Sequence, residues 1–236
     1  MERNREVATE WQGGNIPIKM AIFDLDGVIV DTAKYHYIAW KELADKLGFE
    51  FTHEHNERLK GVSRNQSLEI LLEVGGMENK FSSAEKESMA TEKNHRYVEY
   101  ISKLGQDEIL PGSRELLTEL RLRGLKIGLG SASKNALQIL DRLGITDLFD
   151  VIIDGNKAKK AKPDPEVFLL GAQMMGINPA DTIVFEDAQA GIDAAIVAGM
   201  KVIAVGSPSN LSNAIMYVQD LSDKDILNLE GFTHRH

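Results

Sequence analysis

Short apolar runs alternate with amphipathic segments along much of this chain. The apolar runs are rich in β-branched residues and leucine without strict alternation, which is typical of strands buried on both faces. They predict strands over Ile18–Phe23, Leu125–Gly130, Val151–Asp154, Thr182–Phe185 and Lys201–Val205. Helical patterns lie between them, and strands that alternate with helices indicate a parallel sheet. The pattern therefore predicts an α/β fold with a doubly wound parallel sheet.

Glycine and serine mark the ends of several predicted helices. Asn135–Leu143 stops at Gly144 and Gly191–Ala198 stops at Gly199, and glycine commonly follows a helix because it adopts positive φ without strain. Ser113 follows a proline–glycine pair and is predicted to cap the helix that begins there.

The segment 33–106 breaks this alternation. It contains no convincing strand, only helical patterns over Ala33–Leu47, Ser67–Val74 and Ala84–Leu104. A length of about 75 residues is too great for a connection within a compact domain, where loops are normally shorter than about 15. We therefore predict an inserted all-helical cap at 33–106, a core formed by 18–32 and 107–236, and an N-terminal extension at 1–17.

Composition and charge narrow the possible partners and location. The net charge of the 236-residue chain is −9, which argues against a surface for nucleic acid or anionic membrane. The chain has no cysteine, so disulfides, thiolate catalysis and cysteine-bound zinc are excluded. No apolar segment resembles a signal peptide or approaches the ~20 residues that cross a bilayer. We expect a cytoplasmic protein.

Two aspartates follow the first predicted strand. Asp24 and Asp26 come directly after the apolar run 20–23, and Gly27 opens a turn. Residues i and i+2 of a strand share a face, so the two carboxylates lie close together. At such short distance they repel each other unless a cation lies between them or one of them is protonated. An Asp-rich turn would explain Gly27 but not two acids behind a buried strand. The pair therefore suggests a divalent metal and phosphoryl chemistry.

Three more strand-side segments carry polar groups. Ser131 follows the second strand and precedes a helix, where a hydroxyl and free N–H groups form an anion site, although taken alone this serine is more typical of a plain helix cap. Lys162 is restricted to extended backbone by Pro163, and as a fixed cation it could balance carboxylates and phosphate. Glu186 and Asp187 end the fourth strand, and Mg²⁺ prefers carboxylate oxygens. Because ligands bind at the carboxyl ends of such strands, we expect one cluster with the cap above it.

Other residues have plainer interpretations. A solvated face is expected for the lysine run, which comprises Lys157, Lys159 and Lys160. His53 and His55 lack a third metal ligand nearby, so we expect a solvated loop there. Spacing alone makes His36 an ordinary histidine on a helix surface. Trp40 is expected in the core of the cap.

The chemistry-bearing motifs resemble those of the haloacid dehalogenase superfamily of phosphotransferases. That match rests on Asp24-Leu25-Asp26-Gly27, Ser131, Lys162-Pro163 and Glu186-Asp187, in this order. A closer similarity, to the β-phosphoglucomutase family, lies in Asp31-Thr32-Ala33, Tyr35-His36, Ala39-Trp40, Leu59-Lys60-Gly61-Val62-Ser63-Arg64, Lys93-Asn94 and Ser131-Ala132-Ser133-Lys134-Asn135. The chain departs from the family in its N-terminal extension, in the lysines of 157–160, and in Ala161, where serine is common.

The resemblance implies a Rossmann-like core with a helical cap and a Mg²⁺-dependent phosphomutase. Its reaction would interconvert β-D-glucose 1-phosphate and glucose 6-phosphate through an aspartyl phosphate and a sugar bisphosphate. Asp24 would be the nucleophile and Asp26 the general acid/base. One Mg²⁺ per subunit would be held by Asp24, the Asp26 backbone carbonyl, Glu186 and Asp187. The transferring phosphoryl group would be held by Ser131, Ala132 and Lys162.

The resemblance also implies the substrate contacts. The residues that would meet the sugar are Lys60, Gly61, Arg64 and Ser67. The phosphate that is not reacting would be held by Arg64, Ser133 or Lys134, and Asn135. His36 and Thr32 would lie near the hinge, where His36 would steer Asp26, and Trp40 and Lys93 complete the substrate-binding set. We expect a monomer whose partners are the sugar phosphate and the bisphosphate intermediate.

Other functions remain open at this point. A phosphatase of the same superfamily would use the same core on a small sugar or organic phosphate. A phosphonate-cleaving relative usually replaces the acid at the position of Asp26, which argues against that reaction. A phospho-receiver signalling domain also forms an aspartyl phosphate, but it lacks the long insertion and carries its phosphorylated aspartate on the third strand.

Overall fold

Parallel strands form the centre of the computed structural model, which describes residues 17–206 and 211–229. The strands are β1 Met20–Phe23, β2 Lys126–Gly130, β3 Val151–Ile153, β4 Thr182–Glu186, β5 Lys201–Val205 and β6 Met216–Val218. They form one sheet in the order β3-β2-β1-β4-β5-β6, and each adjacent pair is parallel. All five predicted strands are present with slightly shifted ends. The apolar pattern does not predict β6, which is short and exposes Tyr217.

The sheet is buried on both faces. Ala21 and Phe23 of β1 belong to one hydrophobic cluster, whereas Met20 and Ile22 belong to another. Successive side chains of a strand point to opposite faces, so these clusters cover the two sides of the central strand. Phe23 also stacks on Phe185 of the neighbouring β4, with ring centroids 4.4 Å apart. The predicted doubly wound α/β core is confirmed.

The helices of the described residues divide into two groups. They are α1 Ala33–Leu47, α2 His53–Glu57, α3 Arg64–Val74, α4 Ser83–Ile101, α5 Ser113–Leu122, α6 Ala136–Leu143, α7 Glu166–Met175 and α8 Gln189–Val197. Short 3₁₀ turns occupy Gln106–Glu108, Thr146–Leu148, Pro179–Asp181 and Lys224–Asn228. Helices α5 to α8 alternate with the strands, whereas α1 to α4 all lie between β1 and β2 in the chain.

Helices α1 to α4 form the inserted cap. Trp40 and Leu43 of α1 pack with Leu68 and Leu71 of α3 in a hydrophobic cluster separate from the two core clusters. At the base of the cap, Tyr97 of α4 joins the cluster of the core sheet. The helical cap is confirmed, while its bounds at 33–106 stay a prediction. The predicted extension lies outside the described residues apart from residue 17.

Two local predictions are wrong. Ser113 does not cap α5: Gly112 is the N-cap with φ +77°, and the Ser113 hydroxyl donates to the Val28 carbonyl at 3.2 Å. A side chain at Gly112 would collide with the backbone of Ser222, so this close approach requires glycine. The expected loop at 53–55 is the helix α2, because Thr52 and His55 cap each other's backbone N–H groups.

Within the described residues, none of the helices combines the length and apolar character that a membrane span requires.

Candidate active site

The site lies where the carboxyl ends of β1, β2 and β4 meet. Strand β1 pairs with β2 on one side and with β4 on the other. Asp24 follows β1, Ser131 follows β2 and Glu186 ends β4. Between β1 and β4 the order of the sheet reverses, and open α/β sheets bind ligands at such a switch point. The topology thus gathers groups that are remote along the chain.

Lys162 is the buried cation of this cluster. Its Nζ lies 2.5 Å from Asp24 Oδ1 and 2.8 Å from Glu186 Oε2, and the residue is 1% exposed. Burial alone would lower the pKa of Lys162, but the charges and hydrogen bonds of the two carboxylates outweigh burial and raise it. Lys162 is therefore a charged donor to both acids.

The acids around Lys162 form a candidate metal centre. Asp24, Glu186 and Asp187 each offer a carboxylate oxygen, and these oxygens lie within 4.8 Å of one another. Burial is the main cause that raises the pKa of Glu186 to about 8 and that of Asp187 to about 7, and the charge of Asp24 raises both further. A divalent cation among the three oxygens would favour their charged forms. The donor set therefore fits Mg²⁺, which takes oxygen ligands.

Two glycines keep room for these acids. A side chain at Gly27, where φ is +85°, would collide with the Asp187 carboxylate, and one at Gly191 would collide with the Glu186 carboxylate.

The Asp26 carboxylate is not part of the metal-binding group. Its predicted contribution through the backbone carbonyl stays a prediction.

Asp26 connects the core to the cap. Its Oδ2 lies 3.9 Å from His36 Nε2, and His36 Nδ1 lies 2.7 Å from Lys93 Nζ. The His36 ring also stacks on Tyr97, with centroids 3.9 Å apart. Burial, followed by the charge of Asp24, raises the pKa of Asp26 to about 7. Burial, followed by the charge of Lys93, holds the pKa of His36 well below its usual value, which favours the neutral imidazole.

One cavity of about 500 Å³ contains the metal-binding acids Asp24 and Asp187 and the Asp26 carboxyl group. The predicted cap residues on its wall are His36, Trp40, Lys60, Gly61, Arg64, Ser67 and Lys93. The predicted core residues on its wall are Ser131, Ala132, Ser133, Lys134, Asn135 and Lys162. Thr32 and Glu186 do not line it, because both are completely buried. The structure thus brings the other predicted site residues to one cavity.

The cavity also has lining residues that sequence reasoning missed. They include Asn56, Asn94, Asn156, Lys159 and Lys160. Asn94 accepts a hydrogen bond from Asn135 Nδ2 at 3.0 Å, which links cap to core; its place beside Lys93 in the resemblance was an available signal. Lys159 and Lys160 lie in a segment where the sequence departs from the family pattern, and that departure was an available signal. The expectation of a solvated face did not use it.

The cavity is rich in positive charge, although the chain as a whole carries −9. Besides Lys162, its wall carries Lys60, Arg64, Lys93, Lys134, Lys159 and Lys160. The acids on the wall are Asp24, Asp26 and Asp187. A concave surface that concentrates one sign of charge attracts ligands of the opposite sign. The cavity is therefore suited to an anionic ligand.

A loop of the cap contacts the core beside the metal-binding acids. Gly61 has φ +72°, and a Cβ built on it would lie 3.1 Å from the Ala188 Cβ. Ala188 follows Asp187, and its N–H donates to Glu186 Oε1 at 3.1 Å. The cap therefore reaches the edge of the acid cluster.

Comparison with known proteins gives concordant results. Residues 21–205 match the family described as "Haloacid dehalogenase-like hydrolase". The chain is 47% identical to "Beta-phosphoglucomutase" of Bacillus subtilis (strain 168), over 87% of this chain and 91% of the relative. It is 31% identical to "Phosphorylated carbohydrates phosphatase" of Thermotoga maritima, over 78% of this chain and 83% of the relative.

A solved structure agrees in fold. The crystal structure of β-phosphoglucomutase from Clostridium difficile matches with a TM-score of 0.86 and 46% identity, over 91% of this chain and 97% of the other. The chain belongs to the haloacid dehalogenase-like hydrolase family and, within it, to the β-phosphoglucomutase family of isomerases.

Proposed function

We propose that the protein is a Mg²⁺-dependent mutase that interconverts β-D-glucose 1-phosphate and glucose 6-phosphate. The observation that supports this proposal is a single cavity lined by both sets of groups that the family resemblance assigns to phosphate. The first set is Ser131 and Lys162 beside the nucleophile Asp24, and the second set of phosphate-binding groups is Arg64, Ser133, Lys134 and Asn135. A sugar with phosphate at both ends requires both sets, whereas a simple phosphatase requires only the first.

Asp24 is the nucleophile in this proposal. Its carboxylate attacks phosphorus, the bond between phosphorus and the sugar oxygen breaks, and an aspartyl phosphate forms, which divides one difficult transfer into two. Lys162, Ser131 and the Ala132 N–H hold the transferring group. The donor in this step is the sugar bisphosphate, which leaves as a monophosphate. The free hydroxyl of the next sugar monophosphate attacks the phosphorus of the aspartyl phosphate, the bond to the Asp24 oxygen breaks, and the bisphosphate forms again. Asp24 then takes the phosphoryl group from the other end of that bisphosphate and releases the isomer.

Asp26 is the general acid/base. It gives a proton to the sugar oxygen that leaves and takes one from the hydroxyl that attacks. A group with a pKa near the working pH suits both tasks, and burial beside Asp24 raises the pKa of Asp26 to about 7. His36, held by Lys93, orients this carboxyl group.

The metal-binding acids complete the core of the site. Asp24, Glu186, Asp187 and the Asp26 carbonyl would hold one Mg²⁺. When bound, Mg²⁺ neutralises the charge that develops on the phosphoryl oxygens.

The cap binds the sugar and excludes water in this proposal. Lys60, Gly61, Arg64 and Ser67 meet the sugar or its second phosphate, and Trp40, Lys93, His36 and Thr32 support that wall. Exclusion of water lets a sugar hydroxyl accept the phosphoryl group. We further propose that the protein acts as a cytoplasmic monomer.

Two assays run in parallel test the function. Purified protein is given β-glucose 1-phosphate, Mg²⁺ and a trace of glucose 1,6-bisphosphate, with glucose-6-phosphate dehydrogenase as the coupling enzyme, while free phosphate is measured in the same mixture. We expect isomerisation faster than phosphate release, loss of both after chelation, and recovery when Mg²⁺ is restored. Steady phosphate release without isomerisation would instead identify a phosphatase, the activity of the Thermotoga relative by name.

A further inference from the structure

Two lysines of the loop between β3 and α7 stand at the edge of the active-site cavity. Lys159 and Lys160 both line it and are exposed to solvent. We call this pair the lysine rim. None of the roles described above uses it, although it adds two positive charges to the cavity wall.

Glu166 fixes the backbone of the lysine rim. The N–H groups of Lys159 and Lys160 both donate to Glu166 Oε2, at 2.8 and 2.6 Å. Glu166 is the first residue of α7, so the loop is tied to a helix that packs on the sheet. The rim is therefore held in place at its backbone, while both of its side chains are exposed to solvent.

The loop of the lysine rim also packs against the second set of phosphate-binding groups. Asn156 Nδ2 donates to the Lys134 carbonyl at 2.9 Å. A Cβ built on Gly155 would lie 3.1 Å from Lys134 Cγ and collide with the Ala132 carbonyl. The rim therefore adjoins the Ser131–Asn135 segment.

The charge of the rim is largely uncompensated. Among the described residues, no carboxylate pairs with Lys159, and Lys160 has only Asp164 at 3.3 Å on a side chain that is 71% exposed. Lys157 of the same loop differs: its Nζ donates to the Ile152 carbonyl at 2.6 Å, and it does not line the cavity. Lysines of the same loop thus differ in whether they line the cavity.

We propose that the lysine rim selects doubly phosphorylated sugars, by attracting the phosphate that lies away from Asp24. This inference rests on the proposed function for its ligand. A bisphosphate must place one phosphate at Asp24 and the other near Lys134, beside the rim. A sugar monophosphate can place its one phosphate at Asp24 and leave the rim unoccupied. The rim therefore favours the bisphosphate over the monophosphate and slows its escape from the site.

Direct binding tests the inference without turnover. Glucose 1,6-bisphosphate and glucose 6-phosphate are titrated calorimetrically into the full chain carrying Asp24→Asn, which cannot accept phosphate. The same background then carries Lys159→Gln, Lys160→Gln or both, with Lys157→Gln as a control of equal charge and Lys159→Arg as a charge-preserving variant.

We expect each rim substitution to weaken bisphosphate binding about threefold at low salt, because an exposed charge near a dianion gives a modest, screened attraction. The loss should shrink as salt rises. Monophosphate binding should change less, and Lys157→Gln and Lys159→Arg should bind both ligands as the background does. Equal losses for both ligands, or equal losses for Lys157→Gln and Lys159→Gln, would overturn the inference. Isomerisation by the wild-type protein is assayed separately. If the protein proves to be a phosphatase but its affinity for the bisphosphate still depends on the rim, the proposed function is wrong and the role of the rim stands.

Discussion

Two buried lysines of the cavity wall, Lys162 in the core and Lys93 in the cap, differ in their partners and therefore in their pKa values. Lys162 lies between Asp24 and Glu186, and their charges raise its pKa despite burial. Lys93 is 3% exposed and contacts His36 and the rings of Trp40 and Tyr97. Burial, followed by the charge of Arg64, holds the pKa of Lys93 well below its usual value.

Lys162 therefore belongs to a part of the site that stabilises the fold, whereas burial of Lys93 lowers the free energy of unfolding. In the core, a charge is buried together with opposite charges, and removal of one partner leaves the others uncompensated. In the cap, an amine is buried mainly against rings and a histidine, so desolvation of its charged form is poorly offset. We infer that the core cluster supports both fold and chemistry, whereas Lys93 serves function at the expense of stability.

The largest expected effect is on catalysis in the core. Asp26→Asn keeps the shape of the side chain but cannot give or take a proton, so turnover should fall by about 10²–10⁴. Transfer of phosphate from the bisphosphate to Asp24 should slow as well, because Asp26 protonates the leaving sugar oxygen in that step, and mass spectrometry of the Asp24 peptide over time measures it. Asp45→Asn, on the exposed surface of the cap, is the matched control. If Asp26→Asn keeps full activity in the coupled assay, Asp26 is not the general acid/base.

Removal of the core lysine should destabilise the protein strongly. Lys162→Met leaves Asp24 and Glu186 facing each other without a cation, and we expect the free energy of unfolding to fall by about 3–5 kcal/mol. The loss should grow as pH rises above about 8, where Glu186 ionises in the wild type beside Lys162, whereas in the variant its charge has no buried cation to offset it. Urea unfolding in the presence of a chelator measures this. If Lys162→Met is as stable as the wild type, Lys162 does not stabilise the fold and does not differ from Lys93 in this respect.

Removal of the cap lysine should have the opposite sign. Lys93→Met keeps the contacts with the rings and deletes a poorly offset charge, so we expect a gain of about 1 kcal/mol in unfolding free energy. The gain should shrink as pH rises toward 10.5, because a folded-state pKa below that of the unfolded chain costs stability only while the unfolded chain retains its proton. Turnover should fall at the same time.

The exposed Lys103→Met serves as its control and should change the unfolding free energy by less than about 0.5 kcal/mol. A loss of stability in Lys93→Met would show that Lys93 is a structural residue.

The smallest expected effect concerns the contact between cap and core. Gly61→Ala imposes a left-handed backbone on alanine, at about 1 kcal/mol, and places a methyl group against Ala188. KM and phosphate release should both rise a few-fold if this contact excludes water. Gly76→Ala is the matched control, since Gly76 has φ +62° and open space around its Cβ. If Gly61→Ala and Gly76→Ala change KM equally, the effect comes from backbone strain and not from the contact with Ala188.

The core part of the site could be predicted because topology gathers strand ends. Asp24, Ser131 and Glu186 each follow or end a buried apolar run, and parallel strands place such residues at one edge. The convergence of Lys162 on Asp24, 138 positions away, then follows from its place in the loop after β3.

The cap part could not be predicted in the same way. The burial of Lys93 and its contact with His36 depend on how α1 and α4 pack, which helical periodicity does not specify. The Ser113 cap was mispredicted because the close approach of Ser222 to Gly112 is a tertiary contact. For Lys159 and Lys160, the departure from the family pattern marks the segment, but a lysine run does not specify which of its side chains line the cavity.

The most direct test of the account is to locate the phosphoryl group on the protein. Wild-type protein is mixed with glucose 1,6-bisphosphate and Mg²⁺, quenched in acid and analysed by peptide mass spectrometry, with Asp24→Asn treated identically. We expect one added phosphoryl group on the peptide that contains Asp24, and none in the variant. An unmodified Asp24 peptide in a protein that isomerises glucose phosphates, or a phosphoryl group on another residue, would contradict it.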